Sequence, residues 1–356
     1  MKILHSADWH LDSPLQGKTP EQTALLRKSL LQIPGRIADI CKAEGCDMML
    51  LSGDLFDGPA TADSYTALYR ALENAAVPVF ITPGNHDFLT PDSPWLTKSW
   101  PDKVHIFTKP QIESVVVDDL NCRVYGAGFT GMDCPGLLAG FTAEQDGKIN
   151  IGILHGDPTQ VSSPYCPVTR PQVKASGLAY LALGHIHKGG CFTAGATLCA
   201  WPGCPMGRGY DEQGEKGVLI VTVEDTASAR FVALDTPHFF DWEVEALEDP
   251  AGSLASVLPA LGSGDFYRIT LTGPSEKIDL QALTARFAHF PNLELRDATV
   301  PPVDIWSSAD TDTFEGMYFN RLKEALEGAD ENTARQIRLA AQISRKILDG
   351  QEVVLP

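Results

Sequence analysis

Short apolar runs recur along the first half of the chain, and each stops abruptly at a polar residue. Residues 2–7, 48–51, 77–82, 149–154 and 179–183 have this form. Strands buried on both faces of a parallel sheet read this way. Between the first three runs lie stretches with helical spacing. Leu25, Leu26, Leu30, Ile33, Ile37 and Ile40 mark one over about 21–45, and Tyr65, Leu68, Tyr69 and Leu72 mark another over 62–76. Strand–helix–strand alternation predicts right-handed crossovers and a parallel sheet. A kink or break is expected in the first helix at Pro34-Gly35. Shorter strands are expected at 104–107, 114–117 and 123–125, a long loop or short helix through 158–177, and three more strands near 196–201, 217–223 and 229–234.

The pattern changes after Thr236-Pro237. Residues 242–247, 267–271 and 293–296 read as strands, and 254–261 and 280–287 as helices, which makes a small α+β unit. From Pro301-Pro302 the chain turns helical. Asp312 and Glu315 suggest a capping box, Gly328 a stop, and Asp330 the start of a last helix reaching Gly350. The stripe Phe314, Met317, Tyr318, Leu322, Leu326 is read first as ordinary helix packing and second as a partner site.

With 356 residues, 44% hydrophobic and 21% charged, the chain has material for about two globular domains at roughly 150 residues each. No apolar run approaches the ~20 residues of a membrane span, and the N-terminal stretch from Met1 to Asp8 meets a charged residue too early for a signal peptide, so no membrane association and a cytoplasmic location are expected. The eight cysteines form no C-x-x-C pair and read as free thiols. A formal charge of −18 opposes any general affinity for nucleic acid, so a nucleic-acid role must rest on a local surface, bound metal or a partner.

The chemistry lies where the strands stop. Five strand ends carry Asp8-x-His10, Gly53-Asp54-x-x-Asp57, Gly84-Asn85-His86-Asp87, His155-Gly156-Asp157 and Gly184-His185-x-His187, and five of the nine histidines fall in these motifs. Imidazole and carboxylate suit borderline divalent cations, and one carboxylate can serve two of them. In extended chain, alternate residues point to one side, so Asp8 with His10, and His185 with His187, are expected to face one site. A pair of such cations about 3.5–4 Å apart activates water and stabilises a phosphoryl transition state. A single strand-end histidine is more often structural; five in ordered motifs reverse that reading. His5 is read as a core residue or a support to the site, and His105, His238 and His289 as surface or packing.

This ordered series resembles the calcineurin-like metallophosphoesterase superfamily, and within it the SbcD- and YhaO-type DNA repair exonucleases. Residues 7–14, Trp201–Arg208 and the Asp211–Gly217 segment are similar to the YhaO-like branch, and 267–273 resembles a cap-domain strand. The resemblance implies a four-layer α/β/β/α metallophosphoesterase sandwich over 1–237, a small α+β cap over 238–300, and a C-terminal helical segment, 301–356, as an ATPase-docking region. It implies that Asp8, His10 and His187 hold one divalent metal, that Asn85, His155 and His185 hold the other, and that Asp54 bridges them. Manganese is the preferred ion, with iron, zinc and magnesium as alternatives. His86 would protonate the leaving oxygen, and Asp87 would either orient His86 or support its loop. Asp57 would orient a neighbouring ligand or cap the next segment, with orientation preferred. Lys18 and Arg208, with Arg170, Lys174 and Lys188, are the cations offered as phosphate contacts, although a surface lysine or arginine is usually just solvated. The implied partners are DNA, an SMC-like coiled-coil ATPase docked on the C-terminal helices, and a second copy of the chain. Two alternatives stay open: a phosphoesterase for small nucleotides or proteins on the same core, and a DNA-end-binding or ATPase-assembly subunit whose nuclease is incidental. Weak, strongly salt-dependent DNA binding is expected of the isolated chain.

Overall fold

The computed structural model describes residues 1–350 apart from 248 and 303. The last residues of the expected docking region, 351–356, therefore lie outside the described residues. The chain divides into two compact units. The first comprises 1–242, 261–269 and 287–294, and the second 243–260, 270–286 and 295 onward.

In the first unit, β1 (Lys2–Ser6), helix α1 (Pro20–Ala43), β2 (Met48–Leu51), helix α2 (Ala62–Ala75), β3 (Val79–Ile81), the single turn α3 (Pro94–Thr97) and β4 (Val104–Ile106) follow in order. β5 (Glu113–Val117), β6 (Cys122–Gly126), β7 (Ile149–His155), helix α4 (Arg170–Ala175), β8 (Tyr180–Gly184), β9 (Lys188–Ala194), β10 (Thr197–Gly203), β11 (Gly217–Val223) and β12 (Ala227–Ala233) come next. They make two six-stranded sheets, ordered β12-β11-β1-β2-β3-β4 and β5-β6-β7-β8-β10-β9. The β1-β2-β3-β4 run is parallel, as are the β6-β7-β8-β10 pairings.

Alternation along each strand decides which core a side chain joins. Ile3, Met48, Leu50 and Phe80 pack with Val124, Ile151, Ile153, Tyr180 and Ala200 in a core between the sheets. Their neighbours Leu4, Met49, Leu51, Val79 and Ile81 point the other way, onto Leu26, Leu30, Ile33 and Ile37 of α1 and Leu68 and Leu72 of α2. Across the second sheet, Leu154, Leu181, Leu183 and Cys199 pack under Val173 of α4 and the loop residues Leu138 and Leu178. The fourth layer is therefore one short helix with irregular chain.

Two local expectations are corrected, and one strand was not anticipated. Helix α1 is continuous through a buried Pro34, because burial of its apolar face outweighs the one donor that proline removes. Its start is fixed by a capping box between Thr19 and Gln22. Strand β9 had no periodic signal: it is an edge strand, KGGCFTA, largely exposed except at its end and paired only to β10 among the described strands. In α7 (Phe314–Leu326) the cap is Thr313, which accepts from the Gly316 N–H, and not Asp312.

Strands β13 (Phe239–Glu245), β14 (Phe266–Thr272) and β15 (Leu293–Asp297) form a three-stranded sheet, and the division between the units passes through them. Helices α5 (Pro250–Val257) and α6 (Leu280–Arg286) belong to the second unit, as do α7 and α8 (Glu331–Leu348), the latter capped by Asp330 as expected. The packed side chain of α7 is Phe319, fully buried with Ala309 and Ala341. Phe314 and Met317 are exposed, at 84% and 59%, whereas Leu322 packs against this cluster, so the stripe is helix packing only in part. All eight cysteines are free thiols and only Cys191 is exposed. No described helix is long and apolar enough to cross a membrane.

Candidate metal centre

The five motifs leave the carboxyl ends of β1, β2, β3, β7 and β8, the parallel strands at the middle of both sheets. Ligands of open α/β sheets gather at such ends. The loop after β1 is laced to the loop after β2: the N–H groups of Asp8, His10 and Leu11 donate to the carbonyls of Gly53, Asp54 and Leu55, at 3.0, 2.9 and 3.0 Å.

The backbone is not extended here. Asp8, His10, Asp54 and His185 all have positive φ, at 56°, 48°, 51° and 89°. Residues other than glycine rarely adopt this region, and each instance costs of order 1–3 kcal/mol. Alternation in extended chain is thus not what brings Asp8 beside His10, or His185 beside His187. Tight left-handed turns do so. Two glycines make room for them. A Cβ on Gly84 would collide with the Asp54 carboxylate, and one on Gly53 with the His155 ring.

The side chains converge. The Nε2 atoms of His10 and His187 lie 3.0 Å apart. Asn85 Oδ1 is 3.0 Å from His155 Nε2 and 3.1 Å from His185 Nδ1. Asp54 Oδ2 lies 3.3 Å from His155 Nε2 and 3.8 Å from His10 Nε2, between the two clusters. Its other oxygen accepts from the His86 N–H at 2.8 Å. Ligand-type atoms of Asp8, His10 and His187 fall within 4.8 Å of one another, as do those of Asp8, Asp54 and His155, and of His10, Asp54 and His86.

Charge and burial are in tension at this point. Burial alone would raise the Asp54 carboxyl, but His155 and His10 override it and hold it well below its ordinary range. Burial lowers His155, yet Asp54 lifts it to about 9. Burial raises Asp8 and lowers His10, and burial together with His155 lowers His185 to about 4. Buried Asp8 Oδ2 and His10 Nδ1 have no hydrogen-bond partner. Buried polar atoms are seldom left so. Orphaned donor atoms, paired imidazole nitrogens and a shared carboxylate fit divalent cations, whose ligand chemistry is this set.

The remaining predicted residues separate in space. His86 Nδ1 is 2.9 Å from Asp57 Oδ1, and that bond raises His86 above its ordinary pKa. Asp87 turns away. Its buried carboxylate accepts from the N–H groups of Gly84 at 2.7 Å and of Asp54, Leu55 and Phe56 at 3.3, 2.9 and 3.3 Å, so it ties the β3 loop to the β2 loop. Arg208 lies at the site, 3.8 Å from Asp57. Lys18 is set apart from the ligands, its ammonium 5.1 and 5.0 Å from the centroids of Tyr210 and Phe239. Lys18, Asp57 and Arg208 line one cleft of about 700 Å³. Arg170 stacks on Phe192, 4.3 Å from the centroid. His5 is fully buried between Tyr180 Oη at 2.7 Å and Ser52 Oγ at 2.8 Å.

One residue escaped the sequence. Glu212 Oε1 lies 2.6 Å from His187 Nδ1. Its only signal was its place in the Asp211–Gly217 segment, where nothing local ties it to a histidine 25 residues earlier.

Residues 1–189 match the calcineurin-like phosphoesterase family. The chain is 32% identical over 237 residues to the metallophosphoesterase YhaO of Bacillus subtilis (strain 168), covering 63% of this chain and 57% of that protein. It is 26% identical over 269 residues to the SbcD component of the SbcCD nuclease of the same organism, covering 62% of this chain and 66% of the relative. The chain thus spans less than two thirds of the length of either. Among solved structures, a dimetal phosphatase from Danio rerio aligns over 65% of this chain and 98% of its own, at 13% identity and a TM-score of 0.43. With more than half of its length matched and the strand-end residues converged as described, the chain belongs to the calcineurin-like phosphoesterase family.

Proposed function

We propose that the chain is a dinuclear phosphodiesterase that hydrolyses DNA at its ends and works with an SMC-like ATPase. The observation that carries this reading is the convergence of Asp8, His10, Asp54, Asn85, His155, His185 and His187, with His86 held beside them on Asp57. Asp8, His10 and His187 would hold one cation, Asn85, His155 and His185 the other, and Asp54 both. When bound, such cations, manganese foremost, polarise a phosphoryl oxygen and provide a nucleophile at neutral pH.

The protein's own residues supply the proton chemistry. Asp57 accepts from His86 Nδ1–H and favours the imidazolium, which leaves Nε2–H to protonate the departing sugar oxygen. Asp87 fixes the loop that carries His86. Similarity to the SbcD component of the SbcCD nuclease supports DNA as substrate. Exposed Phe314, Met317, Ile347 and Leu348 support residues 301–356 as a docking region, and the family match over 1–189 supports 1–237 as nuclease domain, which leaves 238–300 as the proposed cap.

The test is cleavage of end-labelled duplex DNA with Mn2+, Mg2+ or chelator. Metal-dependent shortening is expected. A chain that spares DNA yet hydrolyses cyclic nucleotides or aryl phosphates would instead be a small-phosphoester hydrolase. The charge of −18, which opposes a long polyanion more than a small phosphoester, favours that second reading.

A further inference from the structure

The turn that follows β10 returns to the site and takes hold of His187. Glu212 is 7% exposed, and each of its oxygens is engaged. Oε1 receives His187 Nδ1 at 2.6 Å and Arg208 Nη2 at 2.7 Å. Oε2 accepts from Arg208 Nε at 3.3 Å and from the Arg208 backbone N–H at 2.8 Å. The turn itself is tight. Glu212 N–H donates to the Gly209 carbonyl at 3.1 Å, and a Cβ on Gly207 would press on the Glu212 carbonyl.

We infer that Glu212, clamped by Arg208, is a positioning residue that holds His187 with Nδ1 protonated and Nε2 open to a cation. This rests on the dinuclear reading above. The tautomer follows from the nearer partner: Arg208 Nη2 also lies 3.2 Å from Nδ1, but it donates to Glu212 Oε1 at 2.7 Å, and that oxygen is closer to Nδ1. A lone pair on Nδ1 would face a carboxylate oxygen at 2.6 Å, which is repulsive, whereas an N–H there makes a short charge-assisted bond. The Nε2 lone pair then points toward His10 Nε2, where the ligand atoms meet. A carboxylate behind a ligating imidazole orients the ring and raises its basicity.

The same geometry assigns Arg208. Its fork is held on Glu212, with Nη2 also 3.2 Å from His187 Nδ1, and its other terminal nitrogen reaches Asp57 at 3.8 Å. One guanidinium therefore stands between the carboxylate behind His187 and the carboxylate behind His86. Its work is to position both, rather than to bind a substrate phosphate.

The experiment titrates Mn2+ into the chelator-stripped full chain by calorimetry, with the melting temperature of the stripped protein as folding control. In Glu212→Gln, one of two Mn2+ equivalents is expected to bind about 10–100-fold more weakly. Arg208→Gln should weaken the same equivalent by less. If Glu212→Gln does not fold, Arg208→Lys, which keeps the charge and loses the fork, carries the same readout. Wild-type Mn2+ affinity at both equivalents in a folded Glu212→Gln overturns the clamp while leaving the dinuclear reading intact. So does an Arg208→Gln variant that keeps its Mn2+ affinity and shows only a raised KM for bis(p-nitrophenyl) phosphate. A wild type that takes up no Mn2+ overturns the dinuclear reading and the clamp with it.

Discussion

Asp57 Oδ1 stands 2.9 Å from His86 Nδ1 across 29 residues of sequence, while the carboxylate of Asp87, the immediate neighbour of His86, accepts from backbone N–H groups instead. The partner that orients the proposed general acid is the residue distant in sequence.

A pH prediction follows from that bond. The proposed proton donor must be protonated, so the rate falls as pH rises through the His86 pKa. Asp57 raises that pKa. In Asp57→Asn the fall should begin at lower pH, and kcat above neutrality should drop, by part of the ~10²–10⁴-fold that general-acid catalysis supplies. A pH–rate profile of the metal-saturated enzyme checks this, and an unmoved basic limb would remove Asp57 from the proton chemistry.

His86→Ala and Asp54→Ala should fail differently. Loss of His86 leaves the two proposed cation positions intact and lowers the rate by ~10²-fold or more. Loss of Asp54 removes the carboxylate that lies between His10 and His155, and both Mn2+ equivalents should weaken. Metal content by elemental analysis, taken beside activity, separates the two variants. A metal-free His86→Ala protein would make His86 a ligand.

Asp87→Ala strands the buried donors of Gly84, Asp54, Leu55 and Phe56. An unsatisfied buried donor costs about 1–3 kcal/mol. A loss of roughly 3 kcal/mol or more of stability is expected from denaturant titration of the chelated protein. Stability unchanged within ~0.5 kcal/mol would mean that water or the relaxed loop satisfies them.

His5 gives a pH signature in stability rather than rate. Burial lowers its pKa from 6.5 to about 3. The unfolded chain therefore binds a proton that the folded chain refuses between those values. His5 costs no stability above pH 6.5, and stability falls as pH drops toward 3, by up to about 1.4 kcal/mol per pH unit from this group. His5→Gln should flatten that share of the slope, measured as unfolding free energy at pH 4.5, 5.5 and 7. A slope equal to that of the wild type would mean that other groups carry all of the acid sensitivity.

Much of this site was legible because its signal is local. A run such as Met48–Leu51, bounded by polar residues and too short for a helix, reads as a buried strand, and the polar residue that stops it stands at the carboxyl end of that strand. What stayed hidden depends on chain brought together from afar. Glu212 meets His187 through a turn beyond β10, and Asp57 meets His86 through a loop crossing, so no spacing announces either pair. Phe319 escaped for another reason. The apolar stripe of α7 included Phe314 and Met317, but burial selected the aromatic one position past Tyr318. Strand β9 carries two glycines and little apolar alternation, so its pairing with β10 and not its composition makes it a strand.

The left-handed backbone at His10 and His185 has a consequence for engineering. Positions with positive φ favour glycine or asparagine over histidine. A library of this chain selected for heat resistance alone should drift toward those residues at 10 and 185, gaining melting temperature as it discards its chemistry. Selection for function must keep reversing that drift. Histidine persisting at both positions across a divergent library would thus report selection on activity, with no assay performed.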